Sequence, residues 1–130
     1  MLKGHCHCGA VRWVSDGPVA WSSYCHCSDC RRICGSPVTA FFGVSHGSVR
    51  WLGQPPRIYH SSEGVERLFC GDCGTPMAYR HTGDADNIHL HIATLEDPEQ
   101  VAPEFHEFHS ERLSWLSIQD DLPRHPKTAD

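Results

Sequence analysis

Short apolar runs alternate with polar residues along most of the chain, and turns rich in glycine or proline separate them. A period of two is typical of a β-strand that buries one face. Residues 87–94 give the clearest case, because three aliphatic side chains alternate there with polar ones. The aliphatic positions are Ile88, Leu90 and Ile92. We therefore predict a half-buried strand in this segment.

Other segments of the same kind predict further short strands. They cover residues 2–8, 10–14, 19–24, 38–44, 48–52, 57–60, 65–69, 76–80 and 105–109. Residues 28–33 predict a short helical turn, which Ser28 or Asp29 can cap. Many short strands with little helix indicate a mainly β fold, a single compact domain of short antiparallel strands over residues 1–130. Residues 96–130 contain several prolines and are expected to form a tail that wraps around it.

Large aromatic side chains are assigned to the core rather than to a substrate site, because such residues usually pack. In the body of the chain they are Trp21, Tyr24, Phe41, Phe42 and Trp51. The tail has an apolar run over residues 115–118, and we expect its aromatic side chains to hold it against the core.

The chain has 130 residues and a formal net charge of -5. An acidic balance disfavours a nucleic-acid surface, which needs clustered Lys and Arg. No apolar run is long enough for a signal sequence or a membrane span. We therefore expect a cytoplasmic protein that binds neither nucleic acid nor membrane.

Seven of the eight cysteines lie in short spacings that suit metal chelation. They are Cys6 and Cys8, then Cys25, Cys27 and Cys30, then Cys70 and Cys73. In reducing surroundings such cysteines indicate metal binding or chemistry, and disulfides remain the alternative if the chain is exported. Thiolate sulfur is a preferred ligand of zinc.

The number seven suggests two zinc ions per chain, because a closed structural site uses four ligands and a catalytic site uses three. Counting does not establish which cysteines meet, and the two pairs could serve different metals. Cys34 stands outside the chelating spacings. If residues 30–34 form one helical turn, Cys34 could approach the middle three cysteines as a fourth ligand, or it could be an ordinary buried thiol.

Three segments together resemble the glutathione-dependent formaldehyde-activating enzyme family, whose domain is shared with centromere protein V. They read GHCHCGAV at 4–11, CHCSDCRR at 25–32 followed by Gly35-Ser36, and FCGDCGTP at 69–76. The combination covers most of the chain and is far more specific than a single pair of cysteines.

This resemblance implies a mainly β zinc fold of the Mss-four-like type with two zinc ions. It assigns a structural zinc to Cys6, Cys8, Cys70 and Cys73, and a catalytic zinc to Cys25, Cys27 and Cys30. The implied activity is that of a carbon-sulfur lyase, which joins glutathione and formaldehyde to S-hydroxymethylglutathione or acts on a related hemithioacetal. The implied partners are a small thiol such as glutathione and a small aldehyde.

Other side chains near the middle cysteines have two interpretations each. Arg31 and Arg32 could bind substrate carboxylates, because a guanidinium matches that geometry, or they could be solvated surface charges. His26 lies between Cys25 and Cys27, and strand alternation points it away from them, which favours a structural role. No feature of the sequence selects one histidine as the proton carrier.

Two other functions use the same cysteines. A noncatalytic zinc module that binds a protein partner would be favoured by Cys34 as a fourth ligand. A thiol-based metal or redox sensor would exchange its metal readily.

Overall fold

Short strands and a single α-helix make up most of the regular structure in the computed structural model, which describes residues 1–129. The strands are β1 Leu2–His5, β2 Val11–Ser15, β3 Trp21–Cys25, β4 Thr39–Ser45, β5 Val49–Gly53, β6 Arg57–Ser62, β7 Val65–Phe69, β8 Pro76–His81, β9 Asn87–His91 and β10 Phe105–Glu107. Helix α1 is Ser28–Cys34, and short 3-10 turns lie at His46–Ser48, Thr82–Asp84, Ile92–Thr94, Pro98–Gln100 and His109–Glu111. The predicted mainly β class is confirmed.

The strands form two sheets. One has the order β1-β2-β5, and the other has the order β10-β3-β4-β9-β8-β7-β6. All pairs are antiparallel except β10 with β3, which is parallel. Alternation alone carries no information on strand direction, so the parallel edge was not predicted.

Both sheets contribute to one hydrophobic core. Trp13 of β2 and Phe42 of β4 are fully buried, and their ring centroids lie 5.9 Å apart. Ile88 and Leu90 of β9 are buried in the same core, as their alternation predicts. The strand ends at His91, so Ile92 belongs to a 3-10 turn, although it is also buried.

The C-terminal segment is held to the large sheet by strand pairing rather than by Trp115. Strand β10 pairs with β3, and the Glu107 carboxylate accepts a hydrogen bond from the Ser23 hydroxyl at 3.3 Å. His106 is completely buried, whereas Trp115 is 70% exposed. Phe105 lies against Trp21 with ring centroids 6.4 Å apart, and Phe108 packs against a buried cluster that includes Phe41. The expectation that tail aromatics hold the tail is confirmed for these two and wrong for Trp115.

Within residues 1–129, no helix has the length and the apolar character that crossing a bilayer would require.

Candidate functional site

Two turns of the same shape bring four cysteines together. Cys6 and Cys8 follow β1, while Cys70 and Cys73 follow β7, and the four sulfurs lie within 4.8 Å of one another. The Sγ atoms of Cys6 and Cys8 are 3.6 Å apart, and those of Cys8 and Cys70 are 3.8 Å apart. Sulfurs on a tetrahedral zinc are separated by about 3.8 Å. The donor set therefore fits a four-coordinate zinc ion.

Glycines in the left-handed region allow both turns to curl. Gly9 and Gly74 each have a φ of 81°, which side chains rarely adopt. The Gly9 N–H donates to the Cys6 carbonyl at 3.2 Å, and the Gly74 N–H donates to the Cys70 carbonyl at 2.8 Å. Each strand thus ends before its first cysteine, and the turn that follows lets the two sulfurs converge.

Backbone N–H groups point at the sulfurs of the four-cysteine cluster. The Val11 N–H donates to Cys6 Sγ at 3.3 Å, and the N–H groups of Asp72 and Cys73 donate to Cys70 Sγ at 3.4 Å. The Thr75 hydroxyl lowers the pKa of Cys73 to about 5 by hydrogen bonding to its sulfur. These contacts favour the thiolate, which is the form that binds metal.

The other three chelating cysteines lie where β3 meets helix α1. The Sγ atoms of Cys25 and Cys30 are 3.7 Å apart, and all three sulfurs of Cys25, Cys27 and Cys30 lie within 4.8 Å of one another. We call this set the triplet. Its spacing also fits thiolates that share a zinc ion.

Helix α1 positions the triplet through an unexpected cap. The Cys27 sulfur accepts the Cys30 N–H at 3.3 Å, so Cys27 caps the helix rather than the predicted Ser28 or Asp29. Gly35, with a φ of 60°, ends the helix. The chain therefore fixes two of the three sulfurs in one helical turn.

Hydrogen bonds within the triplet separate the pKa values of its thiols. Bonds from the neighbouring thiols, that of Cys25 foremost, lower the pKa of Cys27 to about 2. The same contacts, with burial, raise the pKa of Cys25. All eight cysteines are free thiols, so neither cluster is closed by a disulfide.

A cavity of about 330 Å³ opens beside the triplet. Aromatic side chains and potential proton carriers share its wall. They are Trp21, Phe41, Tyr79 and Phe108, with Arg67, His81 and His89. Glu107 and Glu111 of the C-terminal segment also line it.

One row of directly paired residues builds much of this cavity. Across β3, β4, β9, β8 and β7, the register runs Trp21, Gly43, His89, Tyr79, Arg67. Paired residues share one face of a sheet, so these side chains meet although they are far apart in sequence. A Cβ on Gly43 would lie within 2.5 Å of the Trp21 ring, so glycine makes room for the indole. Trp21 and Phe41, assigned to the core from sequence, thus line the cavity.

Arg67 is the charged group nearest to the triplet in this row, and sequence reasoning missed it. Its Nη1 donates to Cys30 Sγ at 3.7 Å, and its guanidinium carbon lies 4.9 Å from the centre of the Tyr79 ring. The side chain is 7% exposed, and its Nε is buried without a partner. A charged residue inside the predicted strand 65–69 was the available signal.

His89 is paired with a carboxylate. Its Nε2 lies 3.3 Å from Oδ2 of Asp84, whose Oδ1 accepts a hydrogen bond from the Asn87 amide at 2.8 Å. Burial lowers the pKa of His89, and the Asn87 contact lowers the pKa of Asp84. Burial therefore favours a neutral His89, and the Asp84 carboxylate orients it with the proton on Nε2 and the lone pair on Nδ1.

The two arginines of helix α1 have different surroundings. Arg31 Nη1 donates to the carbonyls of His26 and Glu111 at 2.6 and 2.7 Å, which ties α1 to the C-terminal segment. Arg32 is exposed and lines a neighbouring cavity, which shares Asp29, Arg67 and Tyr79 with the triplet cavity.

Cys34 lies apart from the triplet. Its Sγ is 3.7 Å from the Thr39 hydroxyl and 4.0 Å from His91 Nδ1. The sulfur group that could hold a metal contains Cys25, Cys27 and Cys30 without it. Cys34 follows Cys30 by one helical turn, which is a rise of about 5.4 Å along the helix axis, and this places its sulfur outside the triplet. Burial raises the pKa of this thiol.

A chain of hydrogen bonds joins the triplet segment to the C-terminal segment. His26 Nε2 lies 2.9 Å from His106 Nδ1, and His106 Nε2 lies 2.9 Å from Oδ2 of Asp120. Arg124 completes the chain at 2.8 Å from Oδ1 of Asp120. Because the carboxylate accepts from His106, His106 accepts from His26 in turn. This assigns His26 the structural role expected from alternation.

His109 brings a third nitrogen within 4.8 Å of His26 and His106. The rings of His26 and His106 are inclined by only 18°, with centroids 5.1 Å apart, which is the separation of two rings joined in line by a 2.9 Å hydrogen bond. His26 Nε2 and both ring nitrogens of His106 are thus engaged with each other and with Asp120, while His26 Nδ1 is buried without a hydrogen-bond partner. The arrangement favours a proton-ordered network over a third metal site.

Comparisons with known proteins show which family and fold this chain resembles. The family model of the glutathione-dependent formaldehyde-activating enzyme matches residues 1–111. An uncharacterised lyase of Schizosaccharomyces pombe is 35% identical over 80 residues, which cover 62% of this chain and 58% of that protein. The aligned part is therefore less than two thirds of the yeast protein.

Two bacterial proteins are similar over more of their length. A Halomonas elongata protein, provisionally named a glutathione-dependent formaldehyde-activating enzyme, is 26% identical over 129 residues, covering 92% of this chain and 82% of that protein. The crystal structure of a Rhodobacter sphaeroides protein superposes with a TM-score of 0.62 at 25% identity, covering 75% of this chain and 93% of the other.

Proposed function

Because the chain belongs to the glutathione-dependent formaldehyde-activating enzyme family, we propose that it is a zinc-dependent carbon-sulfur lyase. Its substrates are a small thiol, glutathione or a relative, and a small aldehyde such as formaldehyde. Its product is the corresponding S-hydroxymethyl adduct, and the reverse reaction cleaves the same carbon–sulfur bond. The reducing cytoplasm suits both the free thiols and a thiol substrate.

One observation carries this proposal: the triplet provides three sulfurs beside a cavity, while the other cluster provides four. Cys6, Cys8, Cys70 and Cys73 complete a structural zinc site. Cys25, Cys27 and Cys30 would hold a second zinc ion with only three sulfurs, so a substrate thiol could be its fourth ligand. Zinc bound there would lower the pKa of that thiol and so supply the nucleophile.

The cavity residues handle the proton and exclude water. We assign His89 as the base, because its Nε2 is committed to Asp84 and its Nδ1 is free to accept the thiol proton. The thiol sulfur forms a bond to the carbonyl carbon, the carbonyl π electrons move to oxygen, and the oxygen takes up the proton. Trp21, Phe41 and Tyr79 form the apolar wall against which a small aldehyde would lie.

Arg32 is the better placed of the two helix arginines to bind a substrate carboxylate. It lines a cavity that shares three lining residues with the triplet cavity, namely Asp29, Arg67 and Tyr79. The Arg31 guanidinium already donates to two backbone carbonyls.

The test is to measure zinc per chain and then to follow glutathione and formaldehyde by NMR with and without the purified protein. We expect two zinc ions and faster exchange between free and S-hydroxymethylated glutathione. A chain that holds two zinc ions but leaves the exchange rate unchanged, with other small thiols tested too, contradicts the enzymatic proposal. That result would favour the noncatalytic zinc module.

A further inference from the structure

Arg67 is a buried cation whose guanidinium donates a hydrogen bond to a cysteine sulfur. The side chain is 7% exposed, and ion pairs within residues 1–129 join other arginines to carboxylates without including this one. A buried charge needs compensation, since removing it from water is costly. The triplet can supply this compensation, because Nη1 of Arg67 donates to Cys30 Sγ at 3.7 Å.

The neighbourhood fixes the guanidinium at this position. Tyr79 lies beneath its plane with 4.9 Å between the guanidinium carbon and the ring centre, and both residues are directly paired across β7 and β8. A cation over an aromatic face is attracted by the ring. Strand pairing and stacking therefore hold Arg67 against Cys30 before any substrate arrives.

We propose that Arg67 is a positioning residue that keeps Cys30 a ligand rather than a nucleophile, so that the aldehyde carbon is taken by the incoming thiol. This inference rests on the proposed function, because it concerns the same zinc site. Three thiolates on one zinc ion carry a net charge of -1, which the guanidinium offsets. An N–H donor also withdraws electron density from the Cys30 lone pair, and the thiolate is the reactive form of a cysteine.

The suppressed side reaction is alkylation of the protein's own sulfur. With an aldehyde, a Cys30 lone pair would form a bond to carbon, the carbonyl π electrons would move to oxygen, and water would protonate that oxygen. With iodoacetamide, the same lone pair forms the carbon–sulfur bond, the carbon–iodine bond breaks, and iodide leaves. The second reaction is irreversible, so it records the nucleophilicity of each sulfur.

The experiment treats zinc-loaded protein with iodoacetamide and follows each cysteine by peptide mass spectrometry. In Arg67→Gln, we expect alkylation of Cys30 to accelerate on the order of tenfold, because one charge-assisted hydrogen bond is lost. Arg67→Lys keeps a charge without the planar fork and should give an intermediate rate. Exposed Arg50→Gln is the matched control and should leave the Cys30 rate unchanged.

Zinc content is measured on every sample before alkylation. Equal Cys30 rates in wild type, Arg67→Gln and Arg67→Lys, with two zinc ions in each, would overturn the inference and leave the proposed function standing. If Arg67→Gln fails to fold, the Arg67→Lys rate decides alone. A wild-type chain that binds only one zinc ion contradicts the proposed function itself. Cobalt-loaded Arg67→Lys gives a second readout, because its sulfur-to-cobalt charge-transfer band should shift from that of wild type.

Discussion

The two cysteine clusters use the same ligand atom in different surroundings. The four-cysteine cluster is built from two matching turns, and its sulfurs accept backbone N–H groups. The triplet lies at a cavity, and one of its sulfurs accepts from the guanidinium of Arg67. Backbone donors stabilise thiolates without reacting, whereas cavity side chains can move protons and contact a substrate. The surroundings of the sulfurs, together with their number, therefore distinguish a structural zinc site from a reactive one.

The clusters also differ in the sequence separation between their cysteines. Cys8 and Cys70 are 62 residues apart, so the four-cysteine cluster joins turns from both sheets. The triplet is contained within six residues at the junction of β3 and α1. A metal that closes a long loop contributes more to folding than one that closes a short loop.

Cys70→Ser should have the largest effect. It removes a fully buried sulfur from the cluster that joins distant turns, and structural zinc in small domains contributes about 10 kcal/mol or more to folding. That is comparable to the whole free energy of unfolding of a typical domain, about 5–15 kcal/mol. We expect loss of the cooperative thermal transition and of bound zinc. A folded variant that keeps one zinc ion would show that this cluster is not the anchor.

Cys27→Ser should abolish turnover but leave the fold intact. Serine is a good helix cap and can accept the Cys30 N–H in place of the sulfur, so α1 is retained. We expect an unchanged circular dichroism spectrum, one zinc ion per chain and no detectable lyase activity. Unfolding as severe as that of Cys70→Ser would contradict the claim that one cluster is structural and the other catalytic.

His89→Gln should reduce turnover by about 100-fold, the usual contribution of a positioned acid or base. Zinc content should stay at two, because the histidine is not a ligand. Asp84→Asn should give a smaller loss, since it leaves the imidazole in place but weakens its orientation. The control is His60→Gln, whose side chain is 72% exposed. Full activity in His89→Gln would remove this residue from the proton path.

His106→Gln should have the smallest effect, on stability rather than on chemistry. It breaks the chain of bonds between His26 and Asp120, and an unpaired buried polar group costs about 1–3 kcal/mol. We expect faster hydrogen exchange in β10, measured residue by residue, with exchange in β2 and β5 unchanged. Uniform acceleration through both sheets would mean that the network stabilises the whole fold instead.

Much of the fold could be predicted from local pattern. The strand at Val65–Phe69 has the predicted bounds, and most others differ by one or two residues at an end. Alternation places Ile88 and Leu90 in the core, where the structure has them. Two features differ from the prediction: strand β10 pairs in parallel, and Trp115 is exposed. A period of two in the sequence specifies neither the direction of a strand nor the path of the tail.

The cysteine groups could be predicted from spacing and family resemblance, but the cavity could not. Arg67 and His89 are separated by 22 positions and line one cavity because β7, β8 and β9 pair in one register. A single sequence does not contain that register. Cys27 as a helix cap was missed for a related reason, since cysteine is not among the usual capping residues.

The central claim is that one cluster is a closed zinc site and the other is open to a thiol. Cadmium-113 NMR of the cadmium-loaded protein tests it directly, because cadmium prefers the same soft sulfur ligands. We predict two resonances, of which one shifts when glutathione is added while the other stays fixed. Two resonances that both ignore glutathione, or both shift with it, would contradict the account.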